Sequence, residues 1–138
     1  MMNEAQFIED EKLSGELFSD LVTLSENKKF EISKEPIANR HVDNVIDTLL
    51  TYKLENNLIR QYKAKSEIFI YEADFQSSNF TFSRGIKVAL TKNELETILK
   101  TKVLSDTIQI GNLEQTSVFT LLINKNKVKR IFYEGYVD

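Results

Sequence analysis

Arg84-Gly-Ile-Lys-Val-Ala-Leu-Thr-Lys-Asn-Glu-Leu-Glu-Thr-Ile-Leu-Lys100 is the stretch on which the fold turns. Ile86, Val88 and Leu90 alternate with Lys87 and Ala89, the period of a half-buried strand. Thr91 then stands three residues before Glu94. At that spacing the Thr hydroxyl accepts from the third helical N–H and the Glu carboxylate reaches back to the cap N–H, a capping box. Leu95, Ile98 and Leu99 follow at helical spacing, which predicts a strand running into a helix from Thr91 to about Lys100. Downstream, Asp106–Ile110, Thr116–Asn124 and Val128–Val137 read as strands, with a turn at Asn124-Lys125-Asn126-Lys127.

Working outward, Asn3 to Asn27 reads as helical, with Phe7, Ile8, Leu13, Leu17, Leu21 and Leu24 forming its apolar stripe. Gly15 argues against one continuous helix, and Ser14 is a candidate cap for its second part. Phe30–Ser33 is a short strand that Pro36 breaks, and Ile37–Asn44 an irregular loop. Val45–Lys53, Leu58–Lys63 and Ile68–Phe75 form a meander, with turns at Leu54–Asn57 and Ala64–Glu67. Phe80 and Phe82 begin the strand that bends at Gly85 and reaches Ile86. The mix predicts an α+β fold in one domain, 1–138, with short helices packed on an antiparallel β-sheet. Residues 13–75 and 86–138 look alike, each a helix followed by a three-stranded meander. Asp47-Thr48 pairs with Asp106-Thr107, and Tyr71-Glu72 with Tyr133-Glu134. The two stretches are either tandem modules or a chance recurrence of a common helix pattern.

Composition narrows the function. The net charge of −3 gives no general attraction to nucleic acid or anionic lipid. The absence of cysteine excludes disulfides, thiol catalysis and Cys-based zinc sites. No apolar run approaches the ~18 residues that span a bilayer, and the first residues carry no signal-peptide pattern. The expected location is cytoplasmic, or the cell envelope if a leader has been removed.

His41 and Asp43, with Asp47 further on, are too few ligands for a metal or acid–base site, so no metal, cofactor or catalytic residue is expected. Asn39, Arg40 and His41 are candidates for a contact loop. Lys125, Lys127, Lys129 and Arg130 read as the solvated face of a hairpin, and Glu9-Asp10-Glu11 as a solvated stretch near a helix start. Neither Val128–Val137 nor Ile68–Phe75 has a plainly polar face. A sheet of this kind is either covered on both sides or offers an apolar patch. The expectation is a partly exposed aromatic patch drawn from Tyr52, Tyr62, Tyr71 and Tyr133, serving as a protein-binding surface or a weak dimer contact. Cross-strand packing is the competing reading for the same tyrosines.

Residues 84–138 resemble a class of small lipoproteins and inhibitors that includes the SmpA/OmlA outer-membrane assembly lipoproteins and the β-lactamase inhibitor proteins. The resemblance rests on Ile86, Val88, Leu90, Thr91, Glu94, Leu95, Ile98, Leu99, Phe119, Lys127, Val128 and Ile131. The class carries Gly just before and just after its helix, where this chain has Ala89 and Thr101. The Asp-Thr strand starts and the Tyr-Glu-Gly-Tyr-Val-Asp ending are similar to uncharacterised lipoproteins of Bacteroidetes. What the resemblance implies is a non-enzymatic envelope protein that binds an unidentified protein partner. The alternative is a cytosolic immunity or inhibitor protein that neutralises a toxin or enzyme.

Overall fold

The structure, a computed structural model, describes residues 4–135. Its elements are β1 (Gln6–Glu9), α1 (Glu11–Ser25), β2 (Glu31–Ala38), β3 (Ile46–Leu54), β4 (Asn57–Lys63), β5 (Ile68–Phe75), a 3-10 turn (Ser83–Gly85), α2 (Lys92–Leu99), β6 (Thr107–Gly111), β7 (Ser117–Asn124) and β8 (Lys127–Gly135). All eight strands form one sheet in the order β1-β6-β7-β8-β5-β4-β3-β2, antiparallel except where β1 runs parallel to β6. The fold is α+β. The two predicted meanders, β3–β5 and β6–β8, meet at the centre, where β5 and β8 pair antiparallel from Glu72↔Glu134 to Phe75↔Ile131.

The predicted helix from Asn3 is divided. Gln6–Glu9 is a strand, Asn3 lies outside the described residues, and the helix begins only at Glu11. The divider is Asp10, whose carboxylate accepts from the Leu13 N–H at 3.0 Å and caps α1. The acidic stretch Glu9-Asp10-Glu11 thus ends a strand and starts a helix. Ser14 is buried within α1, and Gly15 sits exposed in the helix without breaking it. Leu13, Leu17 and Leu21 are fully buried, each contributing about 1.5–3 kcal/mol from removal of apolar area from water. They seat α1 on β5, β6 and β7, so the helix covers mainly the meander that follows it last in the chain.

The capping box is present: the Glu94 N–H donates to the Thr91 hydroxyl at 3.2 Å, and the Thr91 N–H to the Glu94 carboxylate at 3.0 Å. The Thr91 N–H, and then the Thr91 hydroxyl, which also donates to the carboxylate at 2.8 Å, hold the Glu94 carboxyl below the usual range. Helix α2 ends at Lys100, in the left-handed conformation. The expected strand from Phe80 through Leu90 does not form. Phe80, Phe82, Ile86, Val88 and Leu90 are buried, but the backbone is an irregular run through the 3-10 turn, with positive φ at Arg84, Gly85 and Ala89. The alternation came from a segment that faces the core without a ladder partner. It is tied instead to α1, where Asp20 accepts from the Ser83 N–H at 2.6 Å and the Ser83 hydroxyl at 3.0 Å, and to β8, where the Ala89 N–H donates to the Val128 carbonyl at 2.7 Å.

Pro36 does not break β2. The strand lies at the sheet edge, where a residue without an N–H costs no second ladder. The expected end of the last strand at Val137 lies outside the described residues.

Two β-bulges explain why neither final strand has a plainly polar face. Arg60 pairs with Glu72 but Gln61 with Ile70, leaving Tyr71 extra. Leu122 pairs with Arg130 but Ile123 with Val128, leaving Lys129 extra. Each bulge reverses the strand's parity. Ile70, Ala73 and Phe75 therefore all face the core, as do Val128, Ile131 and Tyr133.

Candidate functional site

One row of cross-strand partners crosses the whole helix-side face: Ile8, Ile110, Phe119, Tyr133, Ala73, Ile59, Tyr52 and Ile32. Phe119 to Ile59 are buried, whereas Ile32 at the β2 end is 55 % exposed. Ile46 and Ile68, the first residues of β3 and β5, are also exposed. Helix α1 stops short of the β2–β4 wing.

The four candidate tyrosines separate on this frame. Tyr133 is 4 % exposed, wedged against Phe119 and Phe18 with ring centroids 4.7 and 5.5 Å away, and its hydroxyl accepts from the Ser117 hydroxyl at 3.1 Å. Burial pushes its phenol pKa up. It is a core residue, because the last bulge turns it under α1. Tyr52 is on the helix side too, half-buried, with its hydroxyl donating to Gln61 Oε1 at 2.8 Å. Tyr62 and Tyr71 alone come together, on the other face. The sequence pairing of Tyr71 with Tyr133 therefore joins residues in unlike places.

The open face is mostly polar and paired. Arg130 donates to both oxygens of Asp74 at 2.8 and 2.7 Å and lies over the Phe132 ring, 5.0 Å from its centroid. Arg60 pairs with Glu72 at 2.9 Å. Arg130 is thus part of the sheet face and not of the solvated hairpin; Lys125 and Asn126 form that hairpin's turn, both at positive φ as such two-residue turns require.

At the β2–β5 end the open face sinks into a hollow of about 300 Å³, lined by Ile37, Leu49, Tyr62, Phe69 and Tyr71, with Asn39, Arg40 and His41 along one rim. Tyr62 and Phe69 are cross-strand partners whose rings stack at 5.4 Å. Leu49 lies opposite Tyr62 on β3. The extra residue Tyr71 is delivered to the hollow by the bulge. Beneath the rim sits Asp47, 3 % exposed, accepting from the Tyr62 hydroxyl and from Asn39 Nδ2, the latter at 2.8 Å. The hydrogen bond to Asp47, then desolvation, raises the Tyr62 pKa. Asn39 also accepts from the His41 and Val42 N–H groups at 2.8 and 2.9 Å, and its own N–H donates to the Val45 carbonyl at 2.9 Å. The loop between β2 and β3 is therefore braced from within.

His41 and Asp43 are exposed, and Asp47 turns to Tyr62 and Asn39. Among the described residues no three His, Cys, Asp or Glu side chains gather as metal ligands, and no helix is long and apolar enough to cross a membrane. Asp47 and the bulge at Tyr71 were missed as builders of the site. The Asp47/Tyr62/Asn39 contact joins residues whose proximity only sheet register creates. The architecture defines an α+β sheet protein with one face partly bare. No protein-family model, curated protein or solved structure matches the chain.

Proposed function

We propose that this chain is a non-enzymatic binding module that contacts another protein through the open face of its β2–β5 wing. The observation that carries this reading is the aromatic hollow of Tyr62, Phe69, Tyr71 and Leu49 on the face of the sheet opposite α1. Apolar hollows with a polar rim are where partner side chains anchor. A place at the cell envelope is supported by the resemblance of residues 84–138 alone. Neutralisation of a toxin through an acidic surface is the weaker alternative, because Glu72 and Asp74 on this face already hold Arg60 and Arg130.

The test is a photo-crosslinking amino acid placed at Tyr71 and, as control, at exposed Lys129, in the native organism. Adducts with another protein at position 71 and none at 129 support the reading; no adduct at 71, or the same adducts at both, refutes it. The native gene adds location: an upstream leader ending in Cys supports the envelope, and a neighbouring toxin gene the alternative.

A further inference from the structure

The rim of the hollow carries an unmatched charge. Of the four arginines, Arg60, Arg84 and Arg130 each have a carboxylate within ion-pair distance, and Arg40 has none among the described residues. Arg40 is not adrift, because Asn39 and the buried Asp47 fix the loop that bears it. Its charge also reaches the Tyr62 hydroxyl, where it opposes the upward shift caused by Asp47. Glu67 stands among the hollow's lining residues as well, on the β4–β5 turn, so the rim is not uniformly basic.

The hollow's volume is at the lower end of the roughly 300–1,000 Å³ typical of ligand pockets, a size for one or two side chains. Stacked aromatic walls favour an aromatic group, which adds specific geometry to its burial. A guanidinium offers a planar fork matched to a carboxylate.

We propose that the hollow takes an aromatic side chain of a partner polypeptide whose neighbouring Asp or Glu pairs with Arg40. This rests on the protein-binding reading and narrows it to an acidic–aromatic anchor. The braced loop and the stacked Tyr62/Phe69 pair mean that little order has to be gained on binding.

The blocked dipeptides Ac-Phe-Glu-NH2 and Ac-Phe-Lys-NH2, titrated into isotope-labelled protein, test it by NMR. The expected result is shifts at Leu49, Tyr62 and Phe69 with the Glu peptide, bound about two- to fivefold more tightly than the Lys peptide, the range of an exposed ion pair. Arg40→Glu, an exposed position, should reverse the preference, and Leu49→Arg should abolish both responses. Absence of shifts at the hollow, or equal affinities that Arg40→Glu leaves unchanged, overturns the proposal. Free phenylacetate binding as tightly as the Glu peptide overturns the polypeptide part, since the site would then be one for small aromatic acids. Crosslinks at Tyr71 that persist while the dipeptides show no preference would sink the acidic anchor and leave the binding module standing.

Discussion

The two meanders have similar local patterns and unequal surroundings. In β6–β8, α1 lies on one face, and Phe119, Leu121, Ile131 and Tyr133 are sealed beneath it. In the wing of β2–β4, the same kind of alternation leaves Ile32 and Ile46 in solvent and Tyr52 half-covered. Strand pattern alone therefore does not decide burial; the landing place of one helix does. The covered meander is given over to packing, while the aromatic hollow lies at the β2–β5 end on the opposite face of the sheet.

The largest expected effect breaks the covered side. Phe119→Ala should cost about 3–5 kcal/mol, measured by denaturant unfolding, because a fully enclosed ring would leave a cavity between Tyr133 and α1. A loss below about 1 kcal/mol would mean that the covered meander is no better packed than the wing.

Next is Asn57, which is 1 % exposed. Its Oδ1 accepts from the Gln76 and Ser77 N–H groups at 2.9 and 3.2 Å, and its Nδ2 donates to the Leu54 carbonyl at 3.2 Å. It ties the β3–β4 turn to the end of β5. Asn57→Ala should cost about 1–3 kcal/mol by thermal or chemical melting, because two part-buried backbone N–H groups lose their acceptor. Thr91→Ala should cost about 1 kcal/mol from loss of the α2 cap, by the same measurement.

Leu49→Ser in the hollow should change stability least, by roughly 1 kcal/mol or less, since its side of the wing is already partly wet. A cost near that of Phe119→Ala would mean the hollow is core, ending the contrast between the two meanders.

The finest probe is the Tyr62 phenol. Its pKa is raised above the ordinary value of about 10, first by its hydrogen bond to Asp47. Its contribution to stability is therefore present below the unfolded value and fades as pH rises through the folded one. In ultraviolet difference titration the absorbance that Tyr62→Phe removes should fall on the late, high-pH side, and loss of absorbance around the ordinary value instead would contradict the Tyr62–Asp47 contact.

Much of this was legible in the chain. Thr91 and Glu94 announced α2 because a capping box is local chemistry, and the meanders followed from alternation and Asn-rich turns. Other features were hidden because they depend on distant partners. Gln6–Glu9 is a strand only because β6 lies beside it, and Asp10 was an acidic residue like its neighbours until its carboxylate met Leu13. The irregular run from Phe80 to Leu90 alternates like a strand because it faces a core. In the site, Tyr62 and Tyr71 were legible as candidates, whereas Tyr133 was misplaced because a bulge at Lys129 resets the parity of β8. Arg40 was visible as a loop residue, and its lack of a partner was not.

The position of β8 has a consequence for how the chain is made. Among the described residues it is the last strand in sequence and lies in the interior of the sheet, bridging β7 to β5. During synthesis β3–β5 can emerge as a meander long before its central neighbour exists, with one long edge waiting. Such an unsatisfied edge is a template for mispairing. The pairings that join the halves span long sequence separations, which makes them slow to form. Closure of the sheet therefore waits on the emergence of β8, and ribosome-stalled chains lacking β8 should be more prone to proteolysis and aggregation than chains that carry it.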